Sequence, residues 1–228
     1  MFKVTSPTRS ASLAARHVEA CSCPALSGAS RKKHGDRAPW LQSAFARVHL
    51  HIRRRALACF VIIRQIFISP GHNYFGHHGQ PSDDYPLLAQ QRIECVAGHG
   101  ILGDRFYDYR QDYAGQITFF SANIFEKLCL AFGLTNKSPG VLRRNVIVSD
   151  IDLNSLIGVD FEIQGVPFRG TKHCKPCYWM DEAFAPGAEK WLAGNGGLRA
   201  QILRDGFIEV GDARLVRHET QPSLVHSK

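Results

Sequence analysis

The chain has 228 residues and a hydrophobic share of 44%, enough for one core of ordinary size or for one domain with an appendage. Its net charge of +8 suggests a nucleic-acid partner, but residues 1–55 hold eleven lysines and arginines against only Glu19 and Asp36, leaving 17 basic and 18 acidic residues for the rest. The folded part is therefore expected near neutrality, which argues against nucleic acid.

Residues 1–58 are rich in Ser, Ala and Arg, poor in acids, and lack sustained apolar alternation before Leu57. They are expected to form a basic, disordered extension. An organelle transit peptide, a disordered basic arm and upstream sequence translated from too early a start are three readings of it, and the third is favoured, with Val61 as the alternative start. The expected location is the cytoplasm, with organelle targeting if the extension is a genuine leader in a eukaryotic host. The one apolar run, Ala56 to Ile63, is too short for a membrane span, so no membrane association is expected. Residues 59–217 are expected to form the folded domain and 218–228 a flexible tail.

Along that domain, Val61 to Ile68 is a β-branched and aromatic run that stops at Ser69-Pro70-Gly71, a strand ended by a turn. The aperiodic stretch 71–79 mixes three glycines with His72, His77 and His78 and reads as a loop facing a ligand, since no acidic or cysteine partner gives the histidines metal-site spacing. Arg92 to Ala97 is a strand candidate, followed by a glycine-punctuated turn from Gly98 to Arg105. Gly115 to Phe120 is another strand, and Ser121 offers an N-cap to a helix with apolar positions Ile124, Phe125, Leu128, Cys129 and Phe132, ended by Gly133. Asn145 to Ser149 and Val159 to Gln164 read as strands, with a short turn over Leu153 to Ile157 between them. Gly165-Val166 then makes a hairpin into Pro167 to Lys172. Pro186 opens a short helix to Leu192, and Leu198 to Leu203 and Phe207 to Val210 flank Arg204-Asp205-Gly206, a hairpin signal. Many short strands with two substantial helices predict a mixed β-rich (α+β) fold, a barrel foremost.

Seven scattered cysteines, an odd number, do not make a secreted disulfide framework. Cys95 in a strand pattern and Cys129 in a helical one read as core. Cys174 and Cys177 differ, because charged residues surround them in Thr171-Lys-His-Cys-Lys-Pro-Cys-Tyr-Trp-Met-Asp181. A thioredoxin-type pair needs a βαβ context that the surroundings lack, and a structural zinc site needs more ligands than His173, Cys174 and Cys177 provide. Lys172 and Lys175 favour a thiolate that attacks or ligates, while two half-buried structural cysteines remain the plain alternative.

From about Val61 to Leu215 the sequence resembles a MOSC domain, the module at the C-terminus of molybdenum-cofactor sulfurases and in stand-alone proteins related to the mitochondrial amidoxime-reducing component. The matching pieces are Gly100-Ile-Leu-Gly-Asp-Arg105, Gln116-Ile-Thr-Phe-Phe120, Arg143-Arg-Asn-Val146 with Asp152-Leu153 and Leu156-Ile-Gly158, then Pro176-Cys177, Gly197-Leu-Arg-Ala200 and Val210-Gly-Asp212. Their order across some 150 residues carries the resemblance, since each piece alone is weak.

The resemblance implies a twisted β-barrel with peripheral helices, a molybdenum-molybdopterin cofactor, and Cys177 as the catalytic cysteine that ligates molybdenum or carries sulfur as a persulfide. Arg105, Arg143, Arg144, Asn145, Lys175 and His78 are the residues expected to bind the cofactor, arginine because its planar fork suits phosphate. Asp104 has a competing role as a turn residue. Pyridoxal phosphate is not expected, because nothing in the chain supplies the domain that binds it in larger sulfurases. Two functions follow, with a binding module without turnover as the floor: a molybdenum oxidoreductase that reduces N-oxygenated small molecules with electrons from a donor protein, or a sulfur-carrier or cofactor-delivery protein working with a cofactor sulfurase. Cys174, close in sequence to Cys177, is a candidate to resolve a persulfide or form a regulatory disulfide.

Overall fold

A computed structural model describes residues 57–74 and 79–218, which form eleven strands and three short α-helices. The expectations for residues 1–56, for His77 and His78, and for the tail beyond His218 lie outside the described residues. No described helix is long and apolar enough to cross a membrane.

Seven strands close into a barrel. The first, β1 (Leu57–Ile68), pairs with β11 (Gly211–His218), and the ring continues through β7 (Asp160–Ile163), β8 (Val166–His173), β9 (Leu198–Ile202), β5 (Ile117–Ser121) and β6 (Val146–Ser149) back to β1. The short β2 (Leu88–Gln90) adds an edge to β1. β1 starts four residues before the expected Val61, at Leu57 opposite Arg217. It buries Val61 and Ile63, then Ile66 and Phe67, with a register shift against β6 between Ile63 and Gln65. That bulge switches the alternation, so that the core face is kept after the shift. β11, which apolar content alone did not reveal, alternates buried Ala213 and Leu215 with charged residues facing out.

Six of the seven barrel pairings are antiparallel, and β5–β6 is parallel. A parallel pair needs a crossover, supplied by α1 (Ala122–Ala131) and a 3-10 turn at Pro139–Leu142. Ser121 caps α1 as expected, its Oγ accepting from the Ile124 N–H at 3.3 Å. The crossover lies outside the barrel, so β5 is buried on both faces along its whole length, its polar Thr118 and Ser121 included. Phe119 points inward to Phe161 and Phe168, with ring centroids 5.5–5.8 Å apart. Phe120 belongs to the outer cluster with Phe125, Leu128, Met180 and Phe184.

A three-stranded sheet of β10 (Gly206–Glu209), β3 (Arg92–Val96) and β4 (Gly100–Ile101) completes the β-structure. Its pairing corrects the expected hairpin at Arg204-Asp205-Gly206. β9 pairs with β8 and β5, while β10 pairs with β3, so these residues carry the chain from barrel to second sheet. Asp205 Oδ1 accepts the Ala97 N–H at 2.7 Å, and a Cβ at Gly206 would press on Val166, so the local signal serves a crossing rather than a reversal. The β7–β8 hairpin is as expected, turning at Gln164 and Gly165, whose φ of 49° and 81° suit a two-residue turn. The helices α2 (Trp179–Ala183), not foreseen, and α3 (Ala188–Trp191), from the segment opened by Pro186, follow the two cysteines in the chain.

Candidate functional site

Residues from distant parts of the chain meet in a cleft of about 220 Å³ at one end of the barrel. The segment after β1 brings His72, Asn73 and Tyr74. The β4–β5 connection brings Arg105, Phe106 and Tyr113. Arg143 and Arg144 come from the entry to β6, Cys174 and Cys177 from the exit of β8, and Arg199 from β9. Among the described residues lining it are four arginines and no carboxylate.

Each arginine is held by its own chain. Arg105 donates from Nη2 to the Arg143 carbonyl at 3.1 Å, and its Nη1 lies 3.5 Å from Asp104 Oδ2. Arg143 donates to Ser69 Oγ at 2.9 Å and to the Gly71 carbonyl at 3.0 Å, from a backbone with φ of 53° that closes the preceding 3-10 turn. Left-handed backbone at a non-glycine is strained, and such strain gathers at functional sites. Arg144 donates to the Gly196 and Leu142 carbonyls at 3.0 and 2.7 Å. Arg199 donates to the Tyr113 hydroxyl at 3.0 Å.

The charges show the strain of gathering cations. Burial, then the Arg105 charge, lower the Arg143 pKa to about 10, with Tyr74 and Asp104 opposing, so it remains cationic. Arg105 is lowered by burial and by Arg144, against Asp104, Cys174 and Tyr113. For Arg199, burial pulls downward, but Cys174 and Tyr113 together outweigh it and the net direction is upward. Burial, and then Arg105 and Arg143, depress His72 below 6.5, so its imidazole is neutral at neutral pH.

The cysteine loop is seated on glycine. A Cβ at Gly196 would collide with the Cys174 carbonyl oxygen and the Pro176 ring, while the Cys174 N–H donates to the Gly197 carbonyl at 2.8 Å. Cys174 is 3% exposed and Cys177 is exposed, so the two thiols that line the cleft differ in accessibility.

The structure thus brings Arg105, Arg143, Arg144 and Cys177 together. Asn145 stands apart: it is 2% exposed, outside the lining, and saturated. Its Oδ1 accepts from the Thr118 N–H and hydroxyl at 3.0 and 2.7 Å, and its Nδ2 donates to the Phe67 carbonyl and Asp104 Oδ2, both at 3.2 Å. Asp104 also accepts the Ser69 and Phe106 N–H groups, both at 3.1 Å, which is the turn-pinning role. Asn145 and Asp104 therefore form a buried brace behind the arginines. Lys175 lines a separate groove with Asp181, Glu189 and Lys190. His78 lies outside the described residues. Sequence reasoning singled out neither Arg199 nor Trp179 for the site; Arg199 did sit in the Gly197-Leu-Arg-Ala200 piece, but nothing local separates a cleft arginine from a surface one.

The model of the MOSC domain family matches residues 105–214. No curated protein matches the sequence. The fold is similar to the YUAD protein from Bacillus subtilis, with a TM-score of 0.58 and 18% identity over 72% of this chain and all of that one. It is also similar to YiiM from Geobacillus stearothermophilus, with a TM-score of 0.50 and 15% identity over 70% of this chain and 75% of that one.

Proposed function

Since this chain carries a MOSC domain, we propose that its arginine-lined cleft binds the molybdenum cofactor with Cys177 as the protein's ligand to molybdenum, and that the protein reduces N-oxygenated small molecules. The observation that carries this reading is the convergence of four arginines and an exposed thiol with no carboxylate among the described lining residues. Four guanidinium groups gathered without a lining carboxylate suit an anion, and a phosphate-bearing, sulfur-rich group satisfies both the guanidinium forks and a soft sulfur ligand. The residues therefore fit the group that the family implies.

Arg105, Arg143 and Arg144 would take the phosphate, each already oriented by backbone carbonyls and free to add charge-assisted bonds. Among the described residues no group of three or more His, Cys, Asp or Glu could hold a metal, and the sulfur of exposed Cys177 would be the protein's contribution to its ligands. When bound, the cofactor supplies the two-electron redox chemistry. Reduction of an N–O bond to an amine and water also takes two protons, and His72, neutral and in the cleft, is placed to pass one of them. A partner protein supplies the electrons.

Protein made in a cofactor-producing host and purified anaerobically should contain molybdenum and pterin in stoichiometric amounts. Cys177→Ser should lose the molybdenum and Cys174→Ser should keep it. Wild-type protein with neither molybdenum nor pterin rejects the reading. The exposure of Cys177 equally suits a persulfide handed to a partner, and cyanide-releasable sulfur on a molybdenum-free protein would establish that carrier role instead.

A further inference from the structure

Cys174 and Cys177 line the arginine cleft together, with only Lys175 and Pro176 between them in the chain. Both ends of this short loop are tied down. The Cys174 N–H donates to the Gly197 carbonyl and the Cys177 carbonyl accepts the Met180 N–H, each at 2.8 Å. Pro176 fixes one more backbone angle, and its ring lies with the Cys174 carbonyl against Gly196, where no Cβ would fit. The thiols differ in access: Cys177 is exposed, whereas Cys174 is 3% exposed. Burial pulls the pKa of Arg105 and of Arg199 downward, and the charge of Cys174 opposes it at both, which places the Cys174 sulfur among cations. The cofactor reading gives Cys174 no task.

We propose that the cysteine pair is a thiol–disulfide exchange site for anionic low-molecular-weight disulfides, with Cys177 as the entry thiol and Cys174 as the resolving thiol. The site uses the arginine cleft without the cofactor, so it does not depend on the molybdenum reading. In the first step the Cys177 thiolate attacks one sulfur of R–S–S–R: a bond forms between Cys177 Sγ and that sulfur, the reagent's S–S bond breaks, and one R–S⁻ leaves with the bonding electron pair. In the second the Cys174 thiolate attacks Cys177 Sγ, the protein disulfide forms, and the other R–S⁻ leaves. The protons of the two cysteines end on the two released thiols. Two protein thiols are oxidised and one reagent disulfide is reduced, so no further oxidant is needed. Three observations assign these roles. Cys177 alone of the pair is open to a reagent with two bulky arms. Two intervening residues make the second step intramolecular, and a loop already held at both ends loses little freedom on closing. Four arginines and no carboxylate among the described lining residues attract an anionic disulfide and repel a cationic one. Closure withdraws the Cys177 sulfur from any other bond, so the oxidised pair switches off whatever Cys177 does in the reduced cleft.

Trypsin does not cut before Pro176, so the tryptic peptide 173–190 carries Cys174 and Cys177 and no other cysteine. Reduced, metal-free, full-length protein is mixed at equal ionic strength with oxidised glutathione, which is anionic, or with cystamine, which is cationic. Samples are quenched with iodoacetamide in denaturant and digested, and each rate is divided by that of the free peptide 173–190 with the same reagent. Oxidised glutathione should convert the wild-type peptide to a form lighter by two hydrogens that takes up no iodoacetamide. Its normalised rate should exceed that of cystamine by about ten-fold in low salt and by less in high salt. Cys174→Ser should stop with glutathione still attached to Cys177, and Cys177→Ser should leave Cys174 unmodified. A wild-type peptide that keeps glutathione or stays reduced overturns the proposal, as does cystamine reacting as fast as oxidised glutathione, and these wild-type results decide even where a variant does not fold. Molybdenum analysis of protein from a cofactor-producing host tests the other reading separately: molybdenum without disulfide closure removes only the exchange site, and closure without molybdenum removes only the cofactor.

Discussion

Gly196 lacks a side chain where the Cys174 carbonyl and the Pro176 ring already fill the space. Gly196→Ala should push the cysteine loop away from the arginines, so sulfate affinity should drop several-fold, as calorimetry would show, while the far-UV spectrum keeps its β signature. His72 gives the cleft its pH dependence. Its pKa is depressed by burial, then by Arg105 and Arg143, so folding favours the neutral imidazole. The stability this provides is fully present above the ordinary value of about 6.5 and is lost as pH falls through the lower folded value. Protonation adds a positive charge facing the same anion site, so sulfate, whose own charge is constant over this range, should bind more tightly once the pH has fallen through that lower value than it does at pH 7. His72→Asn should flatten that slope, and an unchanged slope would exclude His72 as its source. At this scale the candidate residues were legible by type, but their duties were not. Asn145 stands next to two cleft arginines in sequence, yet strand geometry turns it inward as a brace with Asp104.

Elements with a local signal were readable, and those defined by partners were not. Ser121 combines an N-cap side chain with helical apolar spacing after it, and α1 follows. Ser121→Ala should cost about 1 kcal/mol in a denaturant titration. The Gln164–Gly165 turn likewise carries its own backbone requirement. Arg204-Asp205-Gly206 shows the limit: turn chemistry predicts that the chain changes direction, but which strand it meets next depends on β3, more than a hundred residues earlier. β11 was hidden for the opposite reason, since only the inward-facing side of its alternation is apolar and its charged face looks like loop.

Across the whole molecule, one interior holds the site in place. Phe119, Phe161 and Phe168 fill the barrel from three strands, and Phe168→Ala should lower unfolding stability by about 3–5 kcal/mol, enough to unfold a marginal domain at ambient temperature. Phe60, 84% exposed on β1, is the control: Phe60→Ala should stay within about 0.5 kcal/mol of wild type. Closure between β1 and β11 joins the two ends of the described domain and removes the open sheet edge that would otherwise invite association. The sequence by itself determined the β-rich class, the order of most elements, the crossover helix with its cap, and the arginines and cysteines available for chemistry, because periodicity, caps and turns act over a few residues. Only the tertiary structure decided that four arginines separated by up to 94 positions converge without a carboxylate, that Asn145 braces while Arg199 lines, and that a buried and an exposed cysteine share one cleft. Those outcomes depend on which strand ends meet when the barrel closes, and no local stretch of chain encodes that on its own.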